Sequence, residues 1–87
     1  MTAWKLLAQE QTPSEGAFCA IDELLVTRAA LELFGDVEVQ RALAVLVTAA
    51  IVRKLDTFQV IERDDGECLY AVDDGAGVIT LLLPGDY

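Results

Sequence analysis

The sequence predicts an α+β fold, with two or three N-terminal helices followed by a three-stranded antiparallel β-meander. Three observations predict it. Thr12-Pro13-Ser14-Glu15 carries the signature of a helix start, the apolar period changes from helical to alternating after Leu55, and two Asp-Asp-Gly clusters separate three apolar runs. With 87 residues, the chain forms a single domain, 1–87. It divides into an N-terminal lead (1–11), a helical part (13–55) and an antiparallel sheet (57–83).

In the lead, Trp4, Leu6 and Ala8 alternate as in a strand, while Trp4, Leu7 and Ala8 equally suit a short helix. Thr12 as N-cap, Pro13 at the first helical position and Glu15 three residues after the cap satisfy the free N–H groups of a helix start. A helix is therefore expected from Pro13, ending no later than Gly35. Glu15, Asp22 and Glu23 share one side of it, whereas Arg28 and Glu32 fall on the opposite side. That jump in phase allows either one helix over 13–34 or two, the second capped by Thr27. Gly35-Asp36 closes this part and caps the next helix, Val37 to about Leu55, whose middle has almost no polar face. Its β-branched residues also permit a strand beginning near Ile51.

After Leu55 the runs 58–62, 68–72 and 78–83 alternate with period two. The residues between them, Asp64-Asp65-Gly66 and Asp73-Asp74-Gly75, tolerate the positive φ of tight turns, so the strands should form a meander that Pro84-Gly85 ends. The third run is apolar on both faces, which places it at the centre of the core or against a second copy of the chain.

Apolar residues are 54% of the chain, and fifteen acids face six bases, for a formal net charge of -9. The charge is uneven. Residues 1–55 hold seven acids and five bases, while 56–87 hold eight acids and only Arg63. A phosphate backbone or an anionic membrane is repelled by such a field, whereas a basic protein surface is attracted; plain solubility is the alternative reading of the same acidity. So much apolar surface on so small a body also favours a homodimer or a partner interface. The apolar candidates for it are Val45, Ile51, Val52, Leu81 and Leu83.

Catalytic chemistry finds little support. Histidine and asparagine are absent, which removes the commonest general base and any His-dependent nucleophile pair. There is no phosphate-binding glycine motif, so no cofactor is expected. The Asp-Asp-Gly repeats read as turns rather than as a calcium site, because successive turns of a meander lie at opposite ends of the sheet, roughly 17 Å apart. Cys19 and Cys68 lack the spacing of a redox or zinc pair and read as two free thiols. No signal peptide or spanning segment is read from the chain, so a cytoplasmic location is expected.

One family resemblance stands beside this reading. The stretch from Thr27 to Lys54, through Gly35-Asp36, resembles the helix-turn-helix of winged-helix repressors, and Asp65-Gly66-Glu67-Cys68-Leu69-Tyr70 resembles the wing. The resemblance implies a dimeric DNA-binding regulator, with Val37 to Ala49 as recognition helix and Arg41, Arg53 and Lys54 on the DNA. Acids at Asp64, Asp65 and Glu67, where a DNA-binding wing carries Lys or Arg, point instead to protein binding. The expectation is a small acidic, non-enzymatic regulator or inhibitor, of a phage or accessory-element type. It would cover a basic nucleic-acid-binding surface with Asp64, Asp65, Glu67, Asp73 and Asp74.

Overall fold

The computed structural model describes residues 3–7, 18, 21–52 and 55–87. In chain order they form β1 (Trp4–Leu6), β2 (Glu23–Val26), α1 (Arg28–Val52), β3 (Phe58–Arg63), β4 (Cys68–Asp73) and β5 (Val78–Leu82), then a 3-10 turn over Pro84–Asp86. The five strands make one mixed sheet in the order β1-β3-β4-β5-β2. β2 runs parallel to β5, and the other neighbours are antiparallel.

The α+β class stands, but its expected architecture is corrected. Instead of two or three N-terminal helices and a three-stranded meander there is one kinked helix and a five-stranded sheet, in which the meander β3-β4-β5 is extended at both edges. Residues 23–26, expected to be helical, form β2. The cause lies in β5: a strand that is apolar on both faces suits an interior position with a neighbour on each side, and β2 supplies the second neighbour. Backbone pairing across the chain thereby outweighs a weak local helical pattern. At Phe18 φ is 63°, outside the right-handed helical region, so no helix runs unbroken from 13 to 34. The start expected at Pro13 lies outside the described residues. At the other edge the alternation of Trp4 and Leu6 is that of a strand, with Trp4 opposite Arg63 and Leu6 opposite Ile61.

The helix is a crossover. β2 and β3 run in the same direction with β5 and β4 between them, so the chain must cross a face of the sheet to join them, and α1 makes that crossing. Thr27 caps its start, its Oγ1 accepting the Ala30 N–H at 3.3 Å. Gly35 breaks the helical path at φ 80° and ψ 165°, a conformation essentially confined to glycine, and the helix resumes beyond it on a new heading. Ala30, Phe34, Val39, Ala42, Leu46 and Ala50 turn inward. They meet Trp4, Ile61, Leu69, Ala71, Ile79 and Leu81 from the sheet, and Phe18 and Leu55 complete this core. Half of the inward helix positions are alanine.

Candidate protein-binding surface

Strand alternation gives the sheet a second face, and it is apolar as well. Register sets Leu25, Thr80, Val72 and Phe58 side by side across β2, β5, β4 and β3. The next rank holds Leu82, Tyr70 and Val60, continued by Leu7, whose N–H donates to the Val60 carbonyl at 3.0 Å. None of these belongs to the core cluster beneath α1. Leu82 is buried all the same, Phe58, Val60, Tyr70, Val72 and Thr80 are half-buried, and Leu25 is 46% exposed.

Only the C-terminus among the described elements lies on this face. The Tyr87 ring packs edge-on against Phe58 at 5.2 Å and Tyr70 at 5.7 Å, while Phe58 and Tyr70 meet each other at 4.9 Å. The 3-10 turn is held to the helix start, where the Thr27 hydroxyl donates to Asp86 Oδ2 at 3.1 Å. Tyr87 itself remains 76% exposed. Along the strands beyond the apolar ranks, Lys5 and Glu62 stand opposite each other and form an ion pair at 3.5 Å.

Carboxylates mark both ends of the sheet. The β3-β4 turn carries Asp64, Asp65 and Glu67, and the β4-β5 turn, at the opposite end, follows Asp73 with Asp74. The two acidic groups are separated by the length of the strands. Several of these carboxylates also fold the turns. Asp65 accepts two hydrogen bonds from Arg63, at 2.7 and 3.0 Å, and the Glu67 N–H at 3.1 Å. The Arg63 hydrogen bond, with the Glu67 N–H second, holds the Asp65 carboxyl below its ordinary value. The same bond raises Arg63. Asp73 accepts the N–H groups of Phe18 and Gly75, each at 2.8 Å, and Asp74 those of Ala76 and Val78. Asp64 accepts the Ala3 N–H at 3.3 Å.

The other predicted positions divide. Arg41 is exposed on α1, 3.6 Å from Glu38, and Arg53 and Lys54 lie outside the described residues. Of the apolar candidates, Ile51 and Val52 stand out from the helix at 82% and 80% exposure, Val45 and Leu83 are half-buried, and Leu81 is sealed in the core. Cys68 is a half-buried free thiol whose pKa burial pushes up, with Glu62 and Glu67 adding to the shift; Cys19 lies outside the described residues. No cluster of three or more His, Cys, Asp or Glu with metal-holding geometry occurs among the described residues, and no helix there is long and apolar enough to cross a membrane.

Sequence reasoning missed the open sheet face. Its signal was present: 58–61 and 69–72 are apolar at nearly every position, more than one covered face requires. Comparison with known proteins found no match to any family model, curated protein or solved structure.

Proposed function

We propose that this chain is a small non-enzymatic regulator that acts by binding another protein through the open face of its sheet. The observation that carries the reading is that face itself: Val60, Tyr70 and Val72 adjoin one another, and Leu25 joins them across Thr80, in a chain of net charge -9. Its partner is a protein with an apolar patch flanked by basic groups. The patch packs on the two apolar ranks, and the basic flanks meet the carboxylates of the turns at each end, chiefly Asp64, Glu67 and Asp74. An aromatic cluster at the centre, with charge at the rim, is the arrangement in which a few buried side chains supply most of the affinity. The carboxylates of the turns would meet the basic groups of a nucleic-acid-binding surface, so an inhibitor of such a surface is the concrete form of the proposal.

The test is capture with the immobilised chain, identification of the retained protein, and titration of that purified protein against variants. Leu25→Lys with Val72→Lys should reduce its affinity by at least about 100-fold, equivalent to ~2.7 kcal/mol. Asp64→Lys with Glu67→Lys should slow association and flatten the salt dependence. Circular dichroism checks that each variant is folded. Equal binding by wild type and the Leu25/Val72 variant would overturn the reading. So would salt-sensitive binding of a mixed-sequence duplex that Arg41→Ala abolishes, which would put DNA in place of a protein partner.

A further inference from the structure

We propose that the outward face of α1 pairs two copies of this chain, with their helices antiparallel. Beyond Gly35, the exposed positions Val37, Arg41, Ala44, Thr48 and the strongly exposed Ile51 step by four and three residues. This spacing keeps them on one line of the helix, as in the seam of a helix pair. It is the side turned away from the sheet, since Val39, Ala42, Leu46 and Ala50 occupy the inward side. At the middle of the seam Ala44 and Thr48 are small, which lets a second helix approach closely, and they border a shallow, mainly apolar groove that Val45, Ala49 and Val52 complete.

Charge identifies the occupant. A chain of net charge -9 repels its own copy over most of its surface. Along the seam this repulsion is nearly absent: the charged residues between 36 and 52 are Asp36, Glu38 and Arg41, and Glu38 lies 3.6 Å from Arg41 and 3.8 Å from Arg63. Antiparallel packing also sets the negative end of each helix dipole near the positive end of the other. The seam is self-complementary in that orientation, with Ala44 against the partner's Thr48 and Arg41 against the partner's Ile51. The aliphatic stem of Arg41 covers the isoleucine while its guanidinium stays in water.

From Arg41 to Ile51 the paired seam is roughly 15 Å long at about 1.5 Å rise per residue, so one helix pair of this length belongs among small interfaces and makes a dimer that exchanges with monomer. The open sheet faces point away from the seam. Each dimer thus presents two partner-binding surfaces, whatever their partner.

Sedimentation velocity on the full chain from about 1 μM to about 1 mM tests this, the range in which an interface of a few kcal/mol to about 8 kcal/mol titrates. The expected result is a weight-average mass that rises from one chain toward two. Ala44→Glu, which sets two carboxylates close to each other across the axis, should raise the dissociation constant at least about tenfold, ~1.4 kcal/mol, with an unchanged circular dichroism spectrum. Thr48→Glu is the second variant should Ala44→Glu fail to fold. Leu25→Lys should leave the dimer intact. A single-chain mass throughout, or a dimer that survives both glutamates, would overturn the proposal; so would loss of the dimer in Leu25→Lys alone, which would move self-association to the sheet.

Discussion

The guanidinium carbon of Arg63 lies 4.9 Å from the centre of the Phe34 ring, on the inner side of the sheet where an apolar residue would ordinarily stand. It also lies 5.5 Å from the Trp4 ring, and the two rings meet edge to face at 5.2 Å. One cation thereby ties β1, β3 and the first segment of α1 together, and Asp65 and Glu38 supply its counter-charge.

This clamp gives acid stability a definite sign. The Asp65 carboxyl is held below its ordinary value of 3.8, so its contribution is fully present above about pH 4 and is lost as pH falls through the lowered folded value. Thermal melts between about pH 5 and pH 2 should show wild type losing an advantage over Asp65→Asn that it holds at neutral pH. Arg63→Ala should lower Tm at neutral pH and shrink the same acid limb to what the Glu67 N–H sustains, whereas Arg63→Lys, with charge but no planar fork, should fall between. A parallel acid limb in wild type and Asp65→Asn would refute the assignment.

Trp4 is only 7% exposed, and its indole N–H has no hydrogen-bond partner among the described residues. Trp4→Phe keeps the ring against Phe34 and removes that unmet donor, so urea unfolding should show a loss under about 1.5 kcal/mol. Trp4→Ala removes the ring too, and should cost about 3–5 kcal/mol.

Gly35 tests backbone conformation without packing. A methyl group there would meet nothing within 4 Å, yet φ of 80° is a region that L residues rarely adopt. Gly35→Ala should destabilise by about 1–3 kcal/mol. Far-ultraviolet circular dichroism should retain its helical signal, because both helical segments keep their own contacts.

Thr27 joins the start of α1 to the C-terminal turn, capping Ala30 and donating to Asp86. Thr27→Ala should cost about 1 kcal/mol. Thr27→Ser restores both contacts and should recover most of it, which chemical denaturation can resolve.

Leu81 and Ile51 are equally apolar in sequence and opposite in structure. Leu81→Ala empties a fully buried position and should cost about 2–5 kcal/mol. Ile51→Ala, at a residue 82% exposed, should change the stability of dilute monomer by less than about 0.5 kcal/mol.

Elements with a local cause are legible in the residues alone. Asp-Asp-Gly chemistry and period-two alternation placed β3, β4 and β5, and Gly35 marked where the helical path bends, while Thr27 stood as one of two possible helix starts. The uneven charge and the lack of histidine were equally plain. The tertiary structure decided what depends on distant partners. Glu23-Leu24-Leu25-Val26 is too short for its own pattern to choose between helix and strand, and β5, over fifty residues away, makes the choice by offering a free edge. The same pairing decided that Leu81 is core, and the placement of α1 on one face left the other apolar face with only the C-terminal turn on it among the described elements. A periodic sequence shows that a residue has a side; only the packed sheet shows what that side meets.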